Sequence, residues 1–473
     1  MKQAHNIRLL DSRLTPECAE GWFEVKAADS IICAANRLNE SVREGKVQCC
    51  CLSGRPRLGL DEDVVQCYVT GVGRRFKNCR EATEVKFTTS HYVGQATVEL
   101  EDDRVQFRII PRMGRSIWRH MLGVATSVYL PERFESCGVE GGECESEWLL
   151  LLMWRNALES AMRKASMPKA YVSRVANLRC FKGRLDVAGQ IRENLANQSR
   201  FVCRYKPLTF DNTINRTIRA VYHVLVNSRL PAASYASIGE HDARLASFGV
   251  GNSGVTLREV DSINYTRMTE PYRPVMELSK ILLRGYGAGE IDGATSGPSY
   301  FVDVAEIWEN YLLQVLKRRM PEYSVVSPNA TGGEPLLQGA REVRPDFLVY
   351  RGDKLVAVMD AKYKHYARLG RYASSPNAVS RDDLYQVATY MYRFANADEP
   401  FGGIILSPHS VGDEQPMRMA NNPRHFMAVC NLPIIDLDRE CANWDRTKLQ
   451  ARLKEVEGDF AARLKKLLDG CLS

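Results

Sequence analysis

The 473-residue sequence lacks the features that would place it in several large classes. No stretch approaches the roughly 20 consecutive apolar residues of a membrane-spanning helix. The longest apolar run, Trp148 to Trp154, is too short and carries charges just outside it. The N-terminus does not read as a signal peptide. No G-x-x-x-x-G-K-[ST] stretch is present, which excludes a P-loop NTPase within this chain. The fourteen cysteines are scattered, and Cys49, Cys50 and Cys51 would alternate between the faces of a strand, so they form no disulfide framework. Cys137 and Cys144 are too far apart for a C-x-x-C knuckle and have no histidine nearby, so zinc is not expected. A reduced, cytoplasmic protein with no membrane association is the expectation. A large excess of charge of either sign is also missing. A net +7 permits nucleic-acid binding without requiring it, so the placement of charge matters more than its sum.

What is present suggests two to four domains of α/β character. Residues 1–112 read as a β-rich N-terminal domain: a helix over Ala27 to Glu44, then strands at Val47 to Leu52, Val64 to Thr70, Glu84 to Thr89, Ala96 to Leu100 and Val105 to Ile110. Between two of these strands lies Gly73-Arg74-Arg75-Phe76-Lys77. This is either a solvated turn or a finger in which Arg74, Arg75 and Phe76 engage a partner or a phosphate backbone. Residues 113–299 read as mainly helical, with helices at Glu145 to Met167 and Asn212 to Ser228, the second capped by Asp211. Between them runs the most basic stretch: Arg174, Arg179, Lys182, Arg184, Arg192, Arg200, Arg204 and Lys206 face only Asp186 and Glu193 in opposition. Such a band suits a DNA backbone, with Arg179, Lys182, Arg184, Arg204 and Lys206 as candidates. It equally suits an acidic partner or plain solvent.

Residues 300–473 carry the chemistry. Phe347 to Tyr350 and Leu355 to Asp360 are Val- and Leu-rich runs separated by Gly352 and Asp353, and predict a hairpin. Alternation along the second strand puts Asp360 and Lys362 on one face. Asp346 joins them only if a three-residue loop or a bulge shifts the register by one, and that shift is expected here. Two converging carboxylates without an arginine call for a cation, and hard oxygen ligands suit Mg²⁺ or Mn²⁺. Beside them Lys362 can hold the attacking water for phosphodiester hydrolysis. Val304 to Arg319 predicts an amphipathic helix in which Glu306 or Glu309 offers a third carboxylate. Asp383 to Tyr392 predicts another, with Gln386 and Tyr390 on one face at i and i+4. Gly402 to Pro408 reads as a further strand and Arg446 to Leu468 as a closing helix. Lys364 and Tyr363 either approach a phosphate or lie on the surface, and His365 and His409 are read as structural.

Pro345-Asp346 followed by Asp360-Ala361-Lys362 resembles the PD-(D/E)xK nuclease superfamily, and the Gln386/Tyr390 helix resembles the Q-x-x-x-Y helix of one of its branches. A closer resemblance, from about residue 100 to 410, is to the McrC family of modification-dependent restriction systems. It is carried, in order, by Val105 to Arg112, Lys182-Gly183-Arg184-Leu185-Asp186, Cys203-Arg204-Tyr205 with Asp211 to Arg216, and Trp308-Glu309 through to Tyr385-Gln386. Arg112 and Lys182 replace the family's usual Lys and Arg, and Asp360 its usual Glu. The resemblance implies a C-terminal restriction-endonuclease-like domain with a central mixed sheet flanked by helices. It implies Mg²⁺ held by Asp346, Asp360, the Ala361 carbonyl and Glu309, this acid being preferred because it follows Trp308. Lys362 would be catalytic, and Gln386 and Tyr390 would support it. It further implies cleavage of double-stranded DNA together with an AAA+ McrB-like NTPase hexamer, docked through the N-terminal part of this chain, whose NTP hydrolysis it stimulates. A repair nuclease acting on DNA ends and a non-catalytic activator or scaffold subunit remain as alternatives.

Overall fold

The computed structural model describes residues 3–11, 20–45, 47–50, 63–74, 81–126, 143–196, 199–227, 236–251, 254–287, 299–328, 334–337, 340–363, 380–409, 411, 414–435, 437–441, 444 and 446–472. They form two compact units. The first combines 1–52, 57–130 and 301–473; the second takes 53–56 and 131–300. The sequence suggested three consecutive regions. In the structure the first and third of these share one unit, and the middle one is inserted between them.

The first unit begins with β1 (Gln3–Leu10), β2 (Glu20–Glu24) and α1 (Val25–Arg43), followed by β3 (Gln48–Cys50), β4 (Val65–Arg74), β5 (Glu81–Thr89), β6 (Tyr92–Glu99) and β7 (Asp103–Ile110). Helix α1 turns Ala28, Ile31, Ala35, Leu38 and Val42 inward at helical spacing, and they pack with Val85, Phe87, Val105 and Phe107 in one core. The single polar residue on that stripe, Asn39, is satisfied: its amide donates to the Val65 carbonyl at 2.7 Å and its oxygen accepts from Val64 N–H at 3.0 Å. Strands β2, β5 and β4 make a three-stranded antiparallel sheet, while β1 runs parallel to β7. Helix α2 (Arg115–Thr126) follows β7.

The second unit is less helical than its sequence predicts. Helices α3 (Glu143–Lys164), α4 (Val187–Asn194), α5 (Thr213–Val226), α6 (Ala236–Ser247), α7 (Leu257–Asp261) and α8 (Arg273–Gly287) are joined by β8 (Ala170–Tyr171), β9 (Arg174–Leu178), β10 (Arg184–Leu185), β11 (Phe201–Tyr205) and β12 (Leu208–Thr209). The basic stretch is therefore carried largely by an antiparallel sheet of order β10-β11-β9 and by α4. Gly183 makes the close approach before β10 possible. It has φ +75°, and a Cβ there would lie 2.6 Å from the Arg204 carbonyl oxygen. The cap of α5 is Asn212, which accepts from Asn215 N–H, and not the expected Asp211. Asp211 is instead engaged by Arg216 at 2.6 and 2.7 Å and by Gly251 N–H at 3.1 Å. Buried Trp154 on α3 donates to Ser279 on α8 at 2.8 Å, tying two of the long helices together.

The chain then re-enters the first unit. Strand β13 (Tyr300–Asp303) completes a five-stranded sheet of order β1-β7-β6-β13-β3 and runs directly into α9 (Val304–Arg319). Buried Asp303 caps that helix, accepting from Ala305 and Glu306 N–H at 2.8 and 3.2 Å. Beyond lie β14 (Ser324–Val326), β15 (Glu334–Leu337), β16 (Ala340–Val343), β17 (Phe347–Arg351), β18 (Lys354–Ala361), α10 (Arg381–Phe394), β19 (Phe401–Ser407), β20 (Met417–Met419), β21 (Asn422–Asn431), α11 (Leu437–Glu440) and α12 (Arg446–Leu472). Strands β15 and β16 pair only with each other, and the remaining strands build a six-stranded mixed sheet of order β14-β17-β18-β19-β21-β20, in which β18, β19 and β21 are parallel neighbours. Helix α10 packs on β18 and β19, and α12 packs on β19, β21 and α9. Among the described residues no helix is long and apolar enough to cross a membrane.

Candidate active site

The hairpin of β17 and β18 turns tightly at Gly352, where φ is +62°. Arg351 pairs with Lys354 and Tyr350 with Leu355, so the turn itself has two residues. The register then shifts: Val349 pairs with Ala357 and Phe347 with Met359, leaving Val356 as the extra residue of a bulge. This is the offset required to bring Asp346 opposite Asp360. Without it the period-two alternation of a strand would send the two carboxylates to opposite faces.

Asp346 precedes β17 and accepts the Ala361 N–H on its Oδ2 at 2.7 Å. Asp360, 1% exposed, meets Lys362 Nζ at 2.7 Å through its Oδ2. The ammonium also donates to Gln386 Oε1 at 2.7 Å, and Gln386 in turn donates from Nε2 to the Tyr390 hydroxyl at 2.6 Å. Gln386 and Tyr390 meet because they lie four residues apart on α10, whose Val387 and Met391 are buried. Gly403 brings the helix close to the sheet, since a Cβ there would lie 2.4 Å from Met391 Sδ and 2.7 Å from Val387 Cγ1.

The electrostatics follow from burial and like charge. The Asp346 carboxyl is pushed up to about 7, first by burial and then by the neighbouring Asp360 charge, against the Ala361 N–H and the Lys362 ammonium. Burial alone would lower the Lys362 ammonium, but the charges of Asp360, Asp383 and Asp346 raise it. Burial and then the Asp360 charge raise the Tyr390 hydroxyl.

Five of the residues singled out from the sequence thus come together: Asp346, Asp360, Lys362, Gln386 and Tyr390. Glu309 sits on α9 near enough for its charge to act on Tyr390. However, among the described residues no three His, Cys, Asp or Glu side chains are grouped closely enough to hold an ion. Asp383 was not foreseen. It is 1% exposed and lies 3.7 Å from Lys362 Nζ, with Ser380 Oγ donating to it at 2.5 Å. Its signal was the spacing, for Asp383, Gln386 and Tyr390 fall at i, i+3 and i+7 on one helical face. Tyr363 is neither at the surface nor free to meet a phosphate, since it is 3% exposed and packed under the Arg112 guanidinium. Arg179, Lys182, Arg184, Arg204 and Lys206 are all exposed and belong to the second unit. Arg184 faces Arg204 across the strand pair, with Asp186 3.6 Å from Arg204. Lys364, Arg75, Phe76 and the Arg74 side chain lie outside the described residues.

Residues 87–404, more than half of the chain, match the family model described as McrBC 5-methylcytosine restriction system component. The class is therefore that of a component of a restriction system, and the match takes in the whole D-x-K hairpin and α10. The chain belongs to the McrBC family. It is also similar to a chain of a refined half-complex from the tetradecameric assembly of Thermococcus gammatolerans McrB AAA+ hexamers with bound McrC. There the identity is 17%, the match covers 95% of this chain and 99% of that one, and the TM-score is 0.49. A second similar structure is the cryo-EM McrBC complex of Thermococcus gammatolerans, at 18% identity, 67% and 88% coverage and a TM-score of 0.34. No curated protein matches.

Proposed function

We propose that this chain is the metal-dependent endonuclease subunit of an McrBC-type restriction system, cutting double-stranded DNA together with an AAA+ NTPase. The observation that carries the reading is the bulge-set register of Asp346 and Asp360, joined to a lysine held by Gln386. The donor set fits a hard divalent cation. Asp360 is buried and Asp346 beside it half-buried, and Asp346 is pushed up to about 7 by desolvation and by Asp360's charge, a cost that a cation would relieve. Asp346, Asp360 and the Ala361 carbonyl would hold Mg²⁺ or Mn²⁺, which would supply Lewis acidity toward the phosphate and acidify a bound water.

The remaining work belongs to the chain's own side chains. Lys362 presents a fixed positive charge where negative charge grows on the phosphate, and its Nζ is aimed by Gln386 Oε1 and Asp360 Oδ2. Tyr390 fixes the Gln386 amide in the orientation that leaves Oε1 toward the lysine. Asp383 adds a buried negative charge that keeps the ammonium protonated. Glu309 is proposed to tune the site through its charge, completing the metal's coordination only if it moves. Replacing Asp360 or Lys362 by Ala is expected to abolish plasmid cleavage while partner binding persists; cleavage surviving both changes would remove the assignment. Comparing closed circles with linear ends separates restriction from a repair activity, because only the latter needs an end.

The basic sheet of the second unit is proposed to contact the DNA backbone. Arg184 and Arg204 face each other across one strand pair, and with Asp186 3.6 Å from Arg204 as a single counter-charge the pair retains an excess of positive charge that a phosphate would offset. A second reading, in which this surface docks the NTPase partner, is favoured by one observation. Phe181, Val187, Ile191 and Leu195 beside the cations are 58–78% exposed, and an apolar surface of that kind marks a protein contact. DNA affinity of a Lys182→Glu/Arg184→Glu variant, measured against salt, decides between them. A shallower salt slope supports DNA contact, and an unchanged slope with lost NTPase stimulation supports docking.

A further inference from the structure

Strands β1 and β7 end side by side, and the residues that follow them reach the catalytic strand. Asp11 N–H donates to the Ile110 carbonyl at 3.0 Å, and the Asp11 carboxylate accepts the Arg112 N–H at 2.6 Å. The Arg112 side chain then leaves the five-stranded sheet altogether. Its Nη2 donates to the main-chain carbonyl of Tyr363, and its guanidinium carbon lies 4.4 Å from the centre of the Tyr363 ring. All three residues are buried: Asp11 is 0% exposed, Tyr363 3% and Arg112 8%. An arginine and an aspartate this deep are costly unless paired with each other and with further polar groups. Here they join the end of the five-stranded sheet to the residue that follows β18.

A role is suggested by what Tyr363 adjoins. Strand β18 ends at Ala361, and the last bond of its ladder with β19 is from Lys362 N–H to the Leu406 carbonyl at 2.8 Å. The next anchored group along the chain is the Tyr363 carbonyl, in the grip of Arg112. The backbone of Lys362 is thus fixed on one side by β19 and on the other by Arg112, two residues past the end of β7, while its Nζ is placed against Asp360 and Gln386. A displacement of about 1 Å at a catalytic group is enough to cost orders of magnitude in rate.

We propose that Arg112, braced by Asp11, is a positioning residue for Lys362, so that the N-terminal sheet sets the competence of the cleavage site through a contact spanning 251 positions of sequence. The proposal rests on the nuclease reading, and it supplies a route by which an event on the N-terminal sheet reaches the cutting chemistry. Lysine keeps the charge but lacks the planar fork and the stacking surface, so it restores only part of the function.

The test uses the full chain with its NTPase partner and Mg²⁺, and measures single-turnover DNA cutting, DNA affinity and partner NTPase stimulation for wild type, Arg112→Ala, Arg112→Lys and the charge-neutral double variant Asp11→Asn/Arg112→Met. In parallel, hydrogen exchange is followed by mass spectrometry in the peptide spanning 355–363. Cutting is expected to fall 10- to 100-fold for Arg112→Ala and the double variant, and less for Arg112→Lys, with DNA affinity and NTPase stimulation within twofold of wild type. Exchange is expected to quicken in 355–363 and not in β21. The double variant leaves no unpaired buried charge and keeps the test alive if Arg112→Ala does not fold. Wild-type cutting rates in variants with unchanged melting temperature would overturn the proposal, as would unchanged exchange at 355–363. If wild type itself never cuts, the nuclease reading fails, and the exchange result still decides whether Arg112 holds this strand.

Discussion

Gln386 offers the sharpest single perturbation of the proposed site, because it touches Lys362 and Tyr390 and sits on neither strand of the β17–β18 hairpin. Gln386→Met keeps its length and approximate volume but removes both the Oε1 acceptor 2.7 Å from Lys362 Nζ and the Nε2 donor 2.6 Å from the Tyr390 hydroxyl. A hydrogen bond to a charged group contributes about 1.5–3 kcal/mol. If that energy goes into holding the ammonium in place as charge develops, its loss slows the chemical step roughly 10- to 150-fold. Tyr390→Phe removes only the neutral link, worth about 0.5–1.5 kcal/mol, and should slow cutting by about 2- to 10-fold. Lys362→Ala, which deletes the charge itself, should exceed both. The assay is single-turnover conversion of supercoiled plasmid at saturating Mg²⁺ and partner, with melting temperatures as the control for folding. The reasoning is refuted if Gln386→Met cuts within twofold of wild type, or if Tyr390→Phe is the more damaging change.

Two predictions concern the scaffold. Gly403→Ala places a Cβ 2.4 Å from Met391 Sδ and 2.7 Å from Val387 Cγ1, so it should cost ~1–3 kcal/mol by overpacking α10 against β19, read as a lower denaturation midpoint. It should also reduce cutting, since α10 carries Gln386; an unchanged midpoint would mean that the helix can retreat freely. In the second unit, the Arg216 hydrogen bonds to Asp211 hold its carboxyl down to about 2, from an ordinary 3.8. Being depressed in the folded state, this group contributes stability that is present above pH ~4 and is lost as pH falls toward 2, amounting to ~1–2 kcal/mol. Asp211→Asn should remove that part of the acid dependence while lowering stability at pH 7. A variant with wild-type stability at both pH values would contradict it.

How far the sequence could be read depends on the range of the interactions concerned. Helix α9 is bounded at Val304 and Arg319 as its periodicity predicts, because one amphipathic stripe and an Asp cap are local features. The bulge at Val356 was also accessible, since an acidic pair on one face demanded a register that a plain two-residue turn could not give. Strand β13 was not. Its four residues are too short a signal, and their partners lie some 200 positions earlier, so nothing local marks Phe301 and Val302 as the middle of the N-terminal sheet. The basic stretch was misread as helical surroundings because β10 has two residues and β9 and β11 five each, too few for alternation to stand out among the arginines. Asp211 and Asn212 are both competent caps, and Arg216, by engaging Asp211, leaves the cap to Asn212. In the site, the strand motif and the i, i+4 pair were legible. Asp383 was legible only through its spacing to Gln386 and Tyr390 on one face of α10, and the Arg112–Tyr363 contact spans 251 positions that no local pattern connects.

On the proposed reading, Asp346, Asp360 and Lys362 cut DNA as part of a restriction complex. The decisive assay is cleavage of modified and unmodified circular DNA with Mg²⁺, by this chain alone and with its NTPase partner and nucleotide, beside the Asp360→Ala variant. Cutting is expected only when partner, nucleotide, Mg²⁺ and intact Asp360 are all present, with the variant still stimulating NTP hydrolysis. Undiminished cutting by Asp360→Ala, or full NTPase stimulation by a wild-type chain that never cuts, would contradict it.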